Sequence, residues 1–185
     1  MKDVEVMRDL FHRKWAVPVL ALLYQRKGDK FVTLYRSLGA SQGGMRETLD
    51  DLVARGWVAG NPGYGHPMRP EYVLTERGRE IGEACFDLWF ALGGYDLEDV
   101  AKSKWAMPVV YVLGSGPLRF HELSAQMAGV TDRALVACLK SLTQAGVAIR
   151  TVEDTYPPSV TYRLAGNGMG LFDPLSELAA RLARV

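Results

Sequence analysis

The chain has 185 residues, a length that suits one large domain or two small ones. With 48% hydrophobic and 23% charged residues, its composition is that of a globular protein and excludes a disordered or collagen-like chain. Its 22 basic and 21 acidic residues leave a net charge of +1. Any nucleic-acid binding must therefore come from local clusters of Lys and Arg.

Neither membrane insertion nor secretion is indicated. The longest stretch without a charged side chain or histidine, Trp105–Leu118, is shorter than the roughly 20 apolar residues of a membrane helix. The N-terminal residues contain no apolar signal core. The two cysteines, Cys85 and Cys138, form no CxxC pair and no disulfide framework. We expect a soluble, cytoplasmic protein that does not bind membranes.

The beginning of the chain predicts two helices. Apolar residues recur with helical spacing within residues 3–13, which indicates the first helix. The second is expected from near Trp15 to Gln25. Pro18 falls in its first turn, where a missing backbone N–H costs no helical hydrogen bond.

A short helix, a turn and a capped helix follow. Apolar residues from Phe31 to Leu38 indicate the third helix. Ser41 is the expected N-cap of a fourth helix, which ends at Gly56. In the second half of the chain Thr131 is the corresponding expected cap.

Each half then predicts a β-hairpin and a closing helix. The glycine-rich segment Gly166–Gly170 is expected to form a turn before the second closing helix. The expected strands are Trp57–Ala59, Glu71–Leu74, Ala148–Val152 and Val160–Leu164, and the expected closing helices are Arg79–Leu92 and Leu171–Ala183.

The chain also repeats itself. The segment Lys14–Val19 recurs as Lys104–Val109, 90 residues further on. Later positions agree at the same or nearly the same spacing, among them Phe31 with Phe120, Ser41 with Thr131, Leu49 with Leu139, and Gly56 with Gly146. Such ordered agreement predicts a tandem duplication of a small domain. We expect one domain in residues 1–92 and the other in residues 93–185.

The predicted order of helix, helix, turn, capped helix and β-hairpin is that of a winged helix-turn-helix. The expected fold class is therefore mainly α with small β-hairpin wings (α+β), duplicated in tandem. The motifs resemble those of the HxlR-type regulators, which are relatives of the MarR group. They are the Lys-Trp opening, the Phe-x-x-Leu before the turn, the wing motif in Pro157–Leu164 and the Leu-Thr-Glu-Arg-Gly tail in Leu74–Gly78.

The resemblance implies a transcription regulator that dimerises through its terminal helices and offers one recognition helix per subunit. It therefore implies that this chain is an intramolecular pseudo-dimer. Phe86, Trp89 and Phe90 of the first closing helix would pack against residues 172–182 of the second. These aromatic residues are either plain core or the lining of an effector pocket.

Base reading in the major groove calls for outward-facing polar residues on each recognition helix. The expected outward positions are Gln42, Gly43, Arg46, Glu47 and Asp50 in the first half, and Asp132, Arg133, Val136, Ala137 and Lys140 in the second. We assign DNA contacts to Ser41, Gln42, Arg46 and Arg69 for one half-site, and to Thr131, Arg133, Lys140 and Arg150 for the other. Because the two helices differ, the double-stranded operator should be an imperfect palindrome.

The charge of the recognition helices leaves a second function open. Residues 42–55 sum to −1 and residues 132–145 to +1, which is a weak basis for attracting phosphates. The alternative is a winged-helix scaffold that has lost DNA binding and acts as a small-molecule-binding protein or enzyme. A protein-interaction module that uses its wings is a third reading.

A ligand site is expected between the repeats, where aromatic residues concentrate. It would hold a small aromatic effector and be built from Trp15, Phe86, Trp89, Tyr95 and Trp105. No catalytic group, metal site or cofactor motif is indicated, since the three histidines lie in different elements. Cys85 and Cys138 are expected to be buried apolar residues rather than redox sensors.

Overall fold

The structure is a computed structural model that describes residues 2–61, 71–154, 156 and 159–184. Over these residues the chain is mainly helical with short antiparallel strands. The helices described are α1 (Lys2–Phe11), α2 (Ala16–Arg26), α3 (Phe31–Ser37), α4 (Gln42–Ala54), α5 (Glu76–Gly94), α6 (Glu98–Ala101), α7 (Ala106–Leu113), α8 (Phe120–Gln126), α9 (Asp132–Gln144) and α10 (Gly166–Ala183). The strands described are β1 (Asp29–Lys30), β2 (Val58–Asn61), β3 (Glu71–Leu74), β4 (Leu118–Arg119), β5 (Ala148–Glu153) and β6 (Ser159–Leu164).

The same order of elements occurs in both halves of the chain. Helix α2 is followed by β1, α3, α4, β2, β3 and α5, and helix α7 by β4, α8, α9, β5, β6 and α10. Each half has a three-stranded antiparallel sheet, ordered β1-β3-β2 in the first and β4-β6-β5 in the second. The mainly helical α+β class and the winged helix-turn-helix order of elements are confirmed.

The predicted helix signals lie where the sequence put them. Pro18 is in the first turn of α2, and the hydroxyls of Ser41 and Thr131 cap α4 and α9. Each hydroxyl accepts a hydrogen bond from a backbone N–H three residues on, at 3.1 Å from Gly44 and 3.3 Å from Ala134. These bonds satisfy amide groups that have no partner within the helix.

The glycine-rich segment before the second closing helix is not a turn, and that prediction was wrong. Helix α10 begins at Gly166 and includes the whole run of glycines. A Cβ atom at Gly168 would overlap the carbonyl oxygen of Val147, and Leu171 in the next turn is fully buried. Tertiary packing therefore outweighs the low helix propensity of glycine here.

The start of α5 also has a glycine in close contact with backbone atoms. A Cβ atom at Gly78 would overlap the carbonyl oxygen of Trp57, which itself accepts a hydrogen bond from the N–H of Thr75 at 3.0 Å. Thr75 caps α5 through its hydroxyl, whereas Ala165 at the corresponding place before α10 has no side chain that can cap. Both closing helices therefore depend on a glycine that lets their backbone approach the start of β2 or β5.

Helices α5 and α10 pack along one another and join the two halves. The fully buried apolar residues of α5 follow one helical stripe, Ile81, Ala84, Cys85, Leu88 and Leu92. Phe90 lies off that stripe and is 75% exposed, so the prediction that it packs against the second closing helix was wrong. The junction is aliphatic rather than aromatic along this stripe.

The first helix belongs by its packing to the second half of the chain. Helix α1 packs mainly against α10 and α7, where Met7 and Leu10 are buried. The hydroxyl of Tyr111 in α7 donates to Asp3 at 3.4 Å, and Arg8 donates to the carbonyl oxygen of Ala128 at 3.3 Å. Residues 1–92 and 93–185 are therefore interlocked, although the elements repeat on either side of that boundary.

Arg181 connects the two closing helices through polar contacts. Its guanidinium binds Glu83 of α5 at 2.5 Å and Glu177 of its own helix at 2.7 Å, and it donates to the carbonyl oxygen of Glu80 at 2.7 Å. Glu83 also accepts a hydrogen bond from the hydroxyl of Tyr24 in α2 at 3.1 Å. The arginine, followed by the tyrosine, holds the pKa of the Glu83 carboxyl below its usual value.

No described helix is both long and apolar enough to span a membrane.

The glycine contacts predict opposite effects of two alanine substitutions. Gly78→Ala should lower the free energy of unfolding by more than about 2 kcal/mol, because the new methyl group meets backbone rather than a movable side chain. Gly43→Ala in α4 meets nothing within 4 Å and should raise stability by up to about 1 kcal/mol. Urea unfolding followed by circular dichroism measures both, and equal effects of the two substitutions would contradict this account.

The Glu83 carboxylate predicts a pH-dependent loss of stability. Its folded pKa lies below the unfolded value of 4.5, so its contribution is present above about pH 4.5 and is lost as pH falls through the folded pKa. Glu83→Gln should lower the unfolding free energy at pH 7 by up to about 1 kcal/mol, because the pair is partly exposed.

The control for this experiment is Glu80→Gln, one turn earlier on α5. The Glu80 side chain is exposed and has no partner among the described residues. The difference between wild type and Glu83→Gln should shrink toward zero when unfolding is repeated near pH 3. A difference that persisted at low pH would show that packing, and not the carboxylate charge, is responsible.

Candidate nucleic-acid interface

Each half presents a helix-turn-helix with the same internal packing. Helices α3 and α4, and likewise α8 and α9, are joined by a turn containing a glycine with positive φ, +63° at Gly39 and +81° at Gly129. Glycine adopts that conformation without the strain that a side chain adds, so it favours this turn between the two helices. The second helix of each pair is held by fully or almost fully buried apolar residues, Met45, Leu49 and Leu52 in α4 and Leu135, Leu139 and Leu142 in α9.

The outward faces of α4 and α9 lie where the sequence predicted them. From Ser41 to Asp50 and from Thr131 to Lys140, buried and exposed positions alternate in the same order. All ten residues predicted to face outward are exposed. At each of these positions the two helices carry different residues, and the last pair, Asp50 and Lys140, has opposite charge.

The polar residues on α4 are largely held by the protein itself. The guanidinium of Arg46 lies 5.3 Å from the centre of the Phe31 ring, and the amide of Gln42 donates to the hydroxyl of Tyr35 at 3.5 Å. Such contacts orient the side chains but leave them exposed, as a cation stacked on an aromatic face keeps its N–H groups free.

Two acidic residues of α4 form ion pairs with arginines. One of these arginines, Arg13, lies outside residues 42–55 and was not counted in the charge of that segment. Arg13, just before α2, binds Glu47 at 2.8 Å, and Arg55 binds Asp51 at 2.7 Å. Asp50 has no partner among the described residues. The net charge that α4 presents is therefore less negative than the sequence sum suggested.

The sequence alone did not predict that two lysines lie together beside α4. The indole of Trp15 lies next to Gly44 in the first turn of α4. Lys14 and Lys102 place their ammonium groups 4.8 and 5.1 Å from the Trp15 ring centre. The Lys-Trp motif was visible in the sequence, but Lys102 comes from the other half of the chain, and only the fold brings it to this place.

The second half has a more open basic face. Arg133 and Lys140 on α9 and Arg150 on β5 are exposed and have no ion-pair partner in the described part of the chain. Lys104 lies 4.9 Å from the centre of the Trp105 ring, as Lys14 does over Trp15. Val136, which takes the place of Arg46, is 55% exposed. An exposed apolar residue on a recognition helix can contact a thymine methyl group.

The two β-hairpin wings differ in the charged residues that the structure describes. Arg150 pairs with Tyr162 in the β5–β6 ladder, whereas Arg69 lies outside the described residues, and nothing is stated of its position. Glu153, at the end of β5, accepts a hydrogen bond from the hydroxyl of Ser159 at 3.3 Å. Asp154 follows it and is exposed, so acid accumulates at the tip of the second wing.

The five residues expected to bind a ligand lie in several surroundings. Trp15 is buried under its two lysines, Trp105 and Trp89 are half-buried, and Tyr95 is 40% exposed and lies against Gly170. Phe86 lines a cavity formed by α2, β3 and α5, and the other four residues are not part of its lining. No ring pair among the described residues joins two of these five.

Both cysteines are buried apolar residues. Burial raises the pKa of the Cys138 thiol in α9 to about 12, and it also raises the pKa of Cys85 in α5. The described residues contain no group of three or more His, Cys, Asp or Glu side chains that could hold a metal ion. The cysteines are thus placed as core residues, in line with the sequence analysis.

The raised thiol pKa values predict slow alkylation and oxidation. With almost no thiolate present at pH 8, both cysteines should react with a thiol-specific disulfide reagent at least about 100-fold more slowly than in the urea-unfolded chain. The unfolded chain serves as the control. Rapid stoichiometric reaction of one thiol in the folded protein would contradict this placement.

Sequence comparisons identify relatives of known class. Residues 100–184 match the family model described as HxlR-like helix-turn-helix. The chain is 35% identical over 86 residues to the HTH-type transcriptional regulator BH0655 of Halalkalibacterium halodurans, an alignment that covers 46% of this chain and 75% of that protein. It is 32% identical over 89 residues to the HTH-type transcriptional regulator YkvN of Bacillus subtilis, covering 48% and 75% of the two chains.

The chain also aligns with solved structures over about half of its length. The reduced form of the transcriptional regulator YodB from Bacillus subtilis aligns with 46% of this chain and 86% of its own, at 27% identity and a TM-score of 0.42. The diamide-treated form of YodB aligns with 50% of this chain and 88% of its own, at 25% identity and a TM-score of 0.41.

Proposed function

The chain belongs to the HxlR-like helix-turn-helix family, and we propose that it is a DNA-binding transcriptional regulator with two non-identical recognition helices. The observation that carries the proposal is the pair of α4 and α9, which have the same buried stripe and different outward faces. A helix held in this way, with its outward face free, is what a major groove about 12 Å wide accepts.

We further propose that the two halves arose by tandem duplication and form an intramolecular pseudo-dimer. Support comes from the repeated order of elements, the equal strand order in the two sheets and the sequence agreement at a spacing of 90 residues. Packing of α5 against α10 would then take the place of the contact between two subunits. Helix α1 strengthens that junction by packing on the opposite half.

DNA affinity in this proposal comes from two unlike surfaces. In the first half the cations lie around α4, where Arg13 pairs with Glu47, Lys102 pairs with Asp99 and Lys14 lies over the Trp15 ring. In the second half they lie on the helix and wing themselves, at Arg133, Lys140 and Arg150. Because phosphate neutralisation supplies most of the affinity, both arrangements support binding, and the different outward faces favour an imperfect palindrome.

Ser41 and Thr131 have a double role in this proposal. Each hydroxyl oxygen accepts the capping hydrogen bond, which leaves the hydroxyl hydrogen to donate to a phosphate oxygen. The helix N-terminus behind them is also the end that attracts anions. Gln42 and Arg46 would then contact base edges in one half-site, and Arg133 and Lys140 would do so in the other.

Fluorescence anisotropy with duplex DNA tests the proposal. The probe is a labelled duplex from the region upstream of the protein's own coding sequence, and a scrambled duplex is the reference. We expect tighter binding to the first duplex, with an affinity that falls steeply as salt is raised. Absence of binding to both duplexes at low salt would overturn the regulator proposal and favour the small-molecule-binding alternative.

The same assay separates base reading from general attraction. Arg133→Ala should weaken binding to the upstream duplex by about 1–3 kcal/mol, roughly 5- to 150-fold, if Arg133 contacts a base. The matched control is Arg184→Ala, an exposed arginine after α10 and outside both helix-turn-helix segments. An unchanged affinity of the Arg133 variant would remove this residue from the contact surface.

A further inference from the structure

The middle of the outward face of α9 is apolar. Val136 and Ala137 are both exposed there, and Val136 is 55% exposed. Arg133 lies about one helical turn before Val136, and Lys140 lies about one turn after it, so the three side chains follow one another along the same face. A face that is cationic at both ends and apolar between them suits a ligand with anionic edges and a single apolar group.

The first half carries an ion pair where the second half carries this apolar face. At a spacing of 90 residues, Ala137 corresponds to Glu47 and Ser103 corresponds to Arg13. Arg13 binds Glu47 at 2.8 Å across the start of α2 and the outward face of α4. Both members of that pair are replaced in the second half. The middle of the α9 face is therefore free of the polar contact that occupies the middle of the α4 face.

The neighbouring position differs in the same direction. Val136 corresponds to Arg46, whose guanidinium lies 5.3 Å from the centre of the Phe31 ring. That contact orients the arginine and leaves its N–H groups free to bind acceptors. Val136 has no hydrogen-bonding group in its side chain, so it reads neither donors nor acceptors on a base. Equivalent positions of α4 and α9 thus offer opposite chemistry to the major groove.

We propose that Val136 contacts the methyl group of a thymine in the half-site bound by α9. The C5-methyl group of thymine is the apolar group that base pairs present in the major groove. In the other half-site Arg46 faces a guanine, whose O6 and N7 both accept hydrogen bonds from a guanidinium. The inference rests on the proposed function, and it gives the imperfect palindrome a defined difference, thymine in one half-site where the other has guanine.

The methyl contact supplies discrimination rather than general affinity. Arg133 and Lys140 attract the DNA whatever its sequence, because phosphates carry the same charge at every base pair. Contact between Val136 and a methyl group removes two small apolar surfaces from water. Burial of one such group is worth roughly fourfold in affinity. The effect is small enough that it must be measured with DNA that differs by the methyl group alone.

Uracil-substituted DNA tests the contact by fluorescence anisotropy. The probe is the labelled upstream duplex, made once with thymine and once with uracil at every thymine position, which removes the methyl groups and keeps all hydrogen-bonding groups. We expect the wild type to bind the uracil duplex at least about threefold more weakly. Val136→Ala should bind the thymine duplex at least about threefold more weakly than the wild type, and its preference for thymine should fall below about 1.5-fold.

Two substitutions serve as matched controls. Val53→Ala removes the same methyl groups from an exposed valine in the last turn of α4. It should bind both duplexes as the wild type does, because base edges are contacted by the N-terminal part of such a helix. Arg46→Ala should weaken binding to both duplexes and keep the wild-type ratio between them. Circular dichroism checks that the variants are folded.

The difference between the half-sites is tested with Val136→Arg, which introduces the residue of α4. Uracil placed at one thymine at a time locates the base pair that Val136 contacts. Replacing that T·A pair with G·C should weaken wild-type binding at least about threefold and should strengthen binding of Val136→Arg, because arginine binds guanine.

The outcomes separate this inference from the regulator proposal. Equal wild-type affinity for the thymine and uracil duplexes, or an unchanged thymine preference in Val136→Ala, would overturn the methyl contact and leave DNA binding established. A Val136→Arg variant that still preferred T·A at the located pair would overturn the assigned difference between the half-sites. Absence of binding to either duplex at low salt would overturn the regulator proposal and this inference together.

Discussion

The packing of α5 against α10 determines how the two halves of the chain, and with them α4 and α9, are arranged. Each of these helices begins against the backbone that follows α4 or α9, with Gly78 over Trp57 and Gly168 over Val147. Each also belongs to the long interface that joins the halves. The position of α4 relative to α9 is therefore fixed through two close backbone contacts and one helix pair. Neither α4 nor α9 can be repositioned alone without disturbing a fully buried contact.

The same junction explains why the two halves are not independent units. Helix α1 precedes the first half but buries its apolar face against α10 and α7. Lys102, which follows α6, lies over the Trp15 ring beside α4. Chain segments thus cross between the halves in both directions. Separating residues 1–92 from residues 93–185 would expose apolar surface on both segments, as happens when domain-swapped subunits are separated.

The sequence predicted the local features well because they depend on short-range chemistry. Pro18 at a helix start, Ser41 and Thr131 as caps and the outward face of α9 all follow from backbone hydrogen bonding and helical periodicity. The start of α10 at Gly166 could not be predicted in this way, because glycine there serves a close backbone approach. Phe90 was predicted to pack against the second closing helix because it is aromatic, but its position in α5 lies off the buried stripe of that helix.

The sequence predicted the cations on α9 better than it predicted the cations around α4. Arg133 and Lys140 were predicted as DNA contacts because they lie on α9 itself, where a count along the sequence finds them. Around α4 the cations come from elsewhere, as Arg13 and Lys102 do, and a count within residues 42–55 could not include them. Arg13 pairs with Glu47 and Lys102 with Asp99, so a sum of charges along one helix leaves out both the cations and the ion pairs of a surface assembled from several segments. Since phosphate attraction acts over about 10 Å at ordinary salt, the assembled surface, and not the helix, decides whether DNA is attracted.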